Sequence, residues 1–352
     1  MRFTVPTIDI TPYRTPGATA ATSPECARVA AEIDRACREV GFLQLVGHGV
    51  SPEAIAGLAD ALDAFFDLDP RLKRGYARPG VNRGYTPPRS ESLSNSLGVT
   101  PANMMNDFYE AYSVGTDTAA YDGVELPEES YPSNTWPEAV PQFRPAIEAY
   151  LREVTAASRV LLRACSEALG LQPDHFDGLV DRSIDTLKMN NYTLPEGDIE
   201  IAGELTGMGA HTDFGLITLL WADQVAGLQV LGSDGGWHDV MPADGALLVN
   251  LGDATARLTN DQWQSTLHRV NPPVIDGRVI RRRSAAFFFD GNHDAVVEPL
   301  PQTVGADGPR YEPITIADHL AAKIAGLKSG LSTGEKPAGA DREAARLSGA
   351  SA

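Results

Sequence analysis

Absences narrow the field first. No run of about 18 apolar residues occurs in the chain, which excludes a membrane-spanning helix. Cysteine is scarce: the chain has 3, at Cys26, Cys37 and Cys165, and no Cys-x-x-Cys. Three thiols cannot all pair, so a disulfide scaffold and a Cys-ligated zinc site are both excluded, and a reducing cytoplasm is the expected setting. Positive charge is also short. With Lys plus Arg at 29 and Asp plus Glu at 47, the formal net charge is −18. Such a chain repels phosphate backbones, and no nucleic-acid partner is expected. Residues 1–10 hold no long apolar segment, so no secretory signal is expected either. What remains is 352 residues, 43 % of them hydrophobic and 22 % charged, the composition of a globular protein with ample core.

The chain divides by period. Residues 5–10 read as an edge strand. Ser23 and Pro24 then supply an N-cap and a first helical residue, followed by an apolar stripe at Cys26, Val29, Ala30, Ile33, Cys37 and Val40. Gly41 closes that helix, and the thiols on its stripe are core residues. A short buried strand over 42–46 precedes a second helix opened by Ser51-Pro52. Residues 70–140 are rich in Pro, Gly, Ser and Asn and read as loops covering something functional. A long helix follows over about 143–169, ended by Gly170. From Asp185 the pattern is short strands, over 185–192, 216–221, 227–231, 246–251 and 284–290, punctuated by Asp-Gly at 234–235, 244–245 and 276–277. Regularly spaced short strands predict an antiparallel sandwich or barrel. Three regions are expected within one compact unit. A helical N-terminal region with capping loops spans 1–140, a long helix plus β core spans 141–325, and a flexible tail spans 326–352.

The chemistry concentrates at His211-Thr212-Asp213-Phe214-Gly215. A lone His-x-Asp is weak evidence, since a strand-end His bonded to a nearby carboxylate is the commoner case. Alternate residues of an extended chain face the same way, however, so His211 and Asp213 aim an imidazole and a carboxylate at one point. The adjacent pairs His238-Asp239 and His293-Asp294 diverge. His268, in Ser265-Thr266-Leu267-His268-Arg269-Val270, completes two imidazoles and one carboxylate, the facial triad of non-haem Fe(II) oxygenases. Zinc takes the same ligands, but the chain has no His-Glu-x-x-His helix to support a zinc hydrolase. Arg281-Arg282-Arg283 runs directly into the apolar segment Ser284–Phe289. If Ser284 faces inward, period two carries Arg282, Ala286 and Phe288 with it and turns Arg283, Ala285 and Phe287 away. A buried guanidinium needs an anion, either one of the protein's own carboxylates or, beside the triad, a dicarboxylate cosubstrate held bidentately.

These motifs occur in a known order. The chain resembles the 2-oxoglutarate/Fe(II)-dependent dioxygenases of the isopenicillin N synthase-like group over roughly residues 5–325. The C-terminal motifs are His211–Gly215, Gly227-Leu228-Gln229-Val230, Val249-Asn250-Leu251-Gly252-Asp253, Ser265–Val270 and Arg282-Arg283-Ser284. The N-terminal ones are Val5–Asp9, Gly41-Phe42-Leu43, Gly47-His48-Gly49-Val50 and Arg83-Gly84-Tyr85. The resemblance implies an all-β core, a double-stranded β-helix or jelly roll, with flanking α-helices. It implies Fe(II) on His211, Asp213 and His268, with 2-oxoglutarate and O2 as co-reactants. It implies Arg282 and Ser284 on the distal carboxylate of 2-oxoglutarate, joined by Tyr192 and with Asn190 nearby. The family often has Pro after that tyrosine, where this chain has Thr193. No side-chain acid or base is expected beyond the metal centre. A small-molecule substrate is expected against Met208, Phe214 and Phe288, with Arg83, Tyr85, Met105 and Phe108 in a segment capping the opening. Bacterial specialised metabolism is the expected home. Two alternatives are an isopenicillin N synthase-like oxidase needing no 2-oxoglutarate and a catalytically silent binding module. His48 and Asp253 are expected to be structural, and His175, His238, His293 and His319 to be surface or turn residues.

Overall fold

The computed structural model describes residues 3–88, 90, 107–121, 123–193, 207–271, 274–275 and 278–329. Along the first half run β1 (Thr7–Asp9), α1 (Pro24–Glu39), β2 (Phe42–Val46), α2 (Pro52–Phe66), α3 (Pro70–Arg74), β3 (Gly84–Thr86), β4 (Glu110–Gly115) and α4 (Phe143–Ala168). The second half continues with β5 (Thr186–Tyr192), β6 (Met208–His211), β7 (Ile217–Ala222), β8 (Leu228–Leu231), β9 (Trp237–Asp239), β10 (Leu247–Leu251) and α5 (Asp253–Leu258). It ends with β11 (His268–Val270), β12 (Val274–Ile275), β13 (Arg278–Val279), β14 (Arg282–Phe289), β15 (Val296–Val297), β16 (Ile314–Thr315) and α6 (Ile316–Ser329).

Helices α1 and α2 start where capping chemistry dictates. Ser23 accepts from the Cys26 amide at 3.2 Å, and Ser51 accepts from the Ala54 amide at 3.2 Å, each with proline at the first helical position. Gly41 ends α1 in the left-handed region at φ +71, and a Cβ there would meet the Gln264 carbonyl oxygen at 2.2 Å, so no other residue fits.

Eight strands form one sheet in the order β1-β2-β10-β7-β14-β5-β4-β3, and four form a second, β6-β11-β8-β9. Only the β1–β2 pair in these two sheets is parallel. This is the jelly-roll core with flanking helices. The large sheet has two unlike faces. Ala285, Phe287 and Phe289 of β14, with Leu219 of β7 and Leu187 of β5, pack against the apolar stripes of α1, α2 and α4. The opposite face joins the small sheet around a second cluster, which includes Phe42, Tyr192, Met208, Leu228, Val230 and Leu248. That second interior is the chamber in which the site lies. All three cysteines are free and buried.

Two segments differ from the sequence expectation. The region read as loops over 70–140 contains β3 and β4, which extend the large sheet beside β5. Residues 110–114 are buried on both faces, so β4 shows no apolar–polar alternation to mark it as a strand. The tail expected from 326 is preceded by an unread helix, α6, which itself runs to Ser329; residues 330–352 lie outside the described residues. Among the described residues no helix is long and apolar enough to cross a membrane.

Candidate metal centre

β6 and β11 are neighbours in the small sheet, and His211 stands directly opposite His268. Cross-strand partners share a face, so the imidazoles converge with ring centroids 4.3 Å apart. Asp213 follows β6 by two residues. Its Oδ1 lies 3.9 Å from His211 Nε2 and 3.7 Å from His268 Nε2. Among the described residues this is the one group of three His, Cys, Asp or Glu ligand atoms lying within 4.8 Å of one another. All three side chains are buried.

The surrounding hydrogen bonds orient each ligand atom. His211 Nδ1 lies 2.7 Å from the Gly209 carbonyl and His268 Nδ1 lies 3.0 Å from the Thr266 carbonyl. With Nδ1–H donated to a carbonyl, each Nε2 presents its lone pair. Asp213 is fixed in the same way: Thr218 Oγ1 at 2.5 Å and Asn250 Nδ2 at 2.6 Å both donate to Oδ2, leaving Oδ1 toward the imidazoles. Burial, with His268 alongside, holds the His211 imidazole well below its ordinary pKa in spite of Asp213, so it is a neutral ligand. Burial pushes the Asp213 carboxyl up, but the two imidazoles and the donors on Oδ2 outweigh it and keep it below the usual range. Two imidazoles and one carboxylate, buried and aimed at one point, fit a divalent ferrous ion.

The residues expected to hold a cosubstrate carboxylate lie on the large sheet. Arg282 pairs with Tyr192, and Ser284 with Asn190, across β14 and β5, so the four face the chamber together. Arg282 is only 2 % exposed. Its Nη1 lies 3.4 Å from Ser284 Oγ and its guanidinium 5.2 Å from the Tyr192 ring centroid. Arg281 and Arg283 pair instead with Asp63, Asp67 and Asp223. Arg282 pairs with no carboxylate among the described residues, and its Nε has no partner there; neither has Asn190 Oδ1. Burial pushes the Tyr192 phenol up to about 12 against the pull of Arg282, so it stays an O–H donor.

The expected substrate residues separate. Met208 lies in the chamber with its sulfur 3.9 Å from the Tyr192 hydroxyl. Phe108 lies there too, edge-on to Tyr192 at 6.2 Å. Phe288 stands opposite Thr218, the residue that holds Asp213, on the same face as Arg282. Arg83 donates to Thr186 Oγ1 at 3.2 Å on that face and to the Thr116 carbonyl at 2.9 Å. Tyr85 is not in the chamber: it packs in the helix-side core with Phe65, and its hydroxyl donates to Glu110 at 2.6 Å. Its register opposite Tyr112, another helix-side residue, dictates that direction. Phe214 turns toward α6, with Lys323 Nζ 5.8 Å from its ring centroid. Met105 lies outside the described residues.

Thr218, Asn250 and Lys188 also bear on the site, and the motifs in the sequence do not single them out for it. Asn250 is a polar residue in an otherwise apolar, fully buried strand, which is a usable signal. Lys188 shares the chamber face of β5 by period two with Asn190, lies 3.2 Å from the Tyr109 hydroxyl and bears on the protonation of His211. His48 is structural as expected: Nδ1 accepts from the Val50 amide at 3.1 Å and Nε2 lies 2.9 Å from the Gly245 carbonyl. His319, expected at the surface or in a turn, is instead buried, because α6 packs it against the ligand loop with its Nε2 2.9 Å from the Phe214 carbonyl.

Comparison with known proteins gives the same picture. Residues 5–139 match the family model of the non-haem dioxygenase in morphine synthesis N-terminal region, and residues 184–291 match that of the 2OG-Fe(II) oxygenase superfamily. The 2-oxoglutarate-Fe(II) type oxidoreductase hxnY of Emericella nidulans is 35% identical over 89% of this chain and 87% of its own. Validamycin A dioxygenase of Streptomyces hygroscopicus subsp. limoneus is 32% identical over 87% of this chain and 82% of its own. The crystal structure of full-length Neurospora crassa T7H in complex with alpha-KG and 5-formyluracil superposes with a TM-score of 0.76 at 26% identity, covering 91% of this chain and 96% of that one.

Proposed function

Because this chain belongs to the 2-oxoglutarate/Fe(II)-dependent oxygenase superfamily, we propose that His211 and His268 through Nε2, and Asp213 through Oδ1, hold the ferrous ion on one face. Arg282, Ser284 and Tyr192 then receive the distal carboxylate of 2-oxoglutarate, with Asn190 beside it. The observation that carries this assignment is Arg282, a buried guanidinium with no acidic partner among the described residues. Such a charge is strongly destabilising when unpaired, and a dicarboxylate cosubstrate supplies the missing anion with bidentate geometry.

When bound, the iron and cosubstrate supply the oxidising power, consuming O2 as 2-oxoglutarate is decarboxylated to succinate and CO2. The chain positions and shelters that chemistry. Thr218 and Asn250 fix the carboxylate ligand, Tyr192 and Ser284 offer hydroxyl donors, and Phe42, Leu220 and Leu248 help keep the interior dry. No side chain is needed as acid or base.

The substrate is a small molecule oxidised at an unactivated C–H bond, by hydroxylation or, through loss of a second hydrogen, by desaturation or cyclisation. Met208, Phe108 and Phe288 are its apolar contacts and Arg83 a polar one. A place in bacterial specialised metabolism is supported by the Streptomyces relative, a dioxygenase of validamycin A. The test is anaerobic reconstitution with Fe(II) and 2-oxoglutarate, then a metabolite panel scored for substrate-triggered succinate and O2 uptake. Uptake that depends on 2-oxoglutarate is expected. Substrate oxidation with no 2-oxoglutarate would move the chain to the oxidase class.

A further inference from the structure

The family match ends at residue 291, so α6 lies beyond it. Yet α6 sends two buried polar side chains to the loop that carries the carboxylate ligand. His319 and Lys323 are four residues apart, one helical turn, and so share a face. They are only 4 % and 8 % exposed. His319 Nε2 lies 2.9 Å from the Phe214 carbonyl, which also accepts from the Ala254 amide at 3.1 Å. Lys323 Nζ lies 2.5 Å from Asp253 Oδ2, and Asp253 is completely buried. Asp253 passes that anchorage to the ligand loop through two bonds: Thr212 Oγ1 donates to the same Oδ2 at 3.2 Å, and the Asp253 amide donates to the Asp213 carbonyl at 2.8 Å. Thr212, Asp213 and Phe214 are thus each held by a hydrogen bond of this network.

We propose that α6 is a strut for the metal centre, in which Lys323, through Asp253, and His319, through Phe214, are positioning residues that set the placement of the Asp213 carboxylate. The proposal rests on Asp213 being a metal ligand, as assigned above. Without the Lys323 ammonium, the buried Asp253 carboxylate loses its ion-pair partner, and an uncompensated buried charge is strongly destabilising where it stands. Its displacement loosens Thr212 and the peptide of Asp213. Residues that orient metal ligands affect metal affinity typically by 10–100-fold.

The test is a titration with Mn(II) alone, without cosubstrate, followed by the electron paramagnetic resonance of the free ion. Far-UV circular dichroism and melting temperature are recorded on the same samples. Wild type is expected to bind, Lys323→Met to bind about tenfold more weakly, and His319→Ala several-fold more weakly. The double variant Lys323→Met/Asp253→Asn should recover part of the loss, because a neutral amide needs no cation. A lower melting temperature with wild-type Mn(II) affinity in the folded single variants would reduce α6 to a stability element and overturn the proposal. If Lys323→Met does not fold, His319→Ala and the double variant decide the matter by the same criterion. A wild type that binds no Mn(II) would instead overturn the metal assignment itself, and the strut with it.

Discussion

At the scale of the residue, the His211 and Asp213 pair was legible because its logic is local. An i, i+2 spacing on an extended chain needs no knowledge of the fold, whereas His268 meets the pair only after the chain has crossed the sheets and returned to stand opposite His211. Arg282 was legible by the same period, since a basic run entering an apolar strand forces one guanidinium inward. The residues that orient the ligands were not, because Thr218 and Asn250 reach Asp213 only through the sheet register. Arg282 also makes a sign prediction. In the ligand-free protein its charge is buried with partial compensation from the Tyr192 ring and Ser284. Arg282→Met removes that penalty and should melt no lower than wild type without ligands. A ligand that binds only the folded state at about 100 times its Kd adds roughly 2.7 kcal/mol, so 2-oxoglutarate with Mn(II) should raise the wild-type melting temperature under anaerobic conditions. The variant should show only the rise that Mn(II) gives alone, with nothing added by 2-oxoglutarate. A variant that melts well below wild type and still responds to 2-oxoglutarate would contradict the assignment.

At the scale of the element, β14 has one sequence and two environments. Phe287 is in the helix-side core, and Phe288 faces the chamber opposite Thr218. Phe287→Ala removes a ring from close-packed surroundings and should lower stability by about 3–5 kcal/mol. Phe288→Ala should lower it by less than half as much, because its ring is partly exposed on the chamber side, while changing the response to substrate. Urea denaturation of the two variants checks the contrast, and equal losses would mean that the face assignment is wrong. This alternation was readable, as were α1, α2 and α4, whose caps and stripes are local signals. β4 was not, because burial on both faces erases the period. α6 was not either, although Thr315 and Asp318 form a recognisable start: Thr315 Oγ1 accepts from the Asp318 amide at 3.1 Å and donates to its carboxylate at 2.7 Å. The Ala-rich residues that follow give only a weak apolar stripe.

At the scale of the whole molecule, an acidic chain has buried two carboxyls, Asp185 and Asp290, within the electrostatic reach of Arg83. Burial pushes Asp185 up to about 7, against hydrogen bonds from Ser183 and the Asp290 amide and the charges of Arg159 and Arg83. Asp290 is raised by burial and by Asp185 and Asp213, against Arg83. A folded-state pKa of about 7, against 3.8 for the free side chain, means that the native protein keeps a proton the unfolded chain has lost. Stability from this group is complete below about 3.8 and is lost as pH rises through about 7. His319 works in the opposite sense. Burial lowers it to about 4 from 6.5, so its contribution is present above 6.5 and is lost as pH falls toward 4. The two slopes oppose one another in mildly acidic solution, and only the Asp185 loss remains near neutrality. Asp185→Asn isolates it. The amide oxygen still accepts from Ser183 and from the Asp290 amide, which lies 3.2 Å from Asp185 Oδ1, and no charge is left to desolvate. The stability of the variant relative to wild type should therefore be greater near pH 8 than near pH 5, as measured by urea midpoints at the two pH values. Parallel pH profiles would show that Asp185 is ionised in the folded protein and that Arg83, not a proton, compensates it.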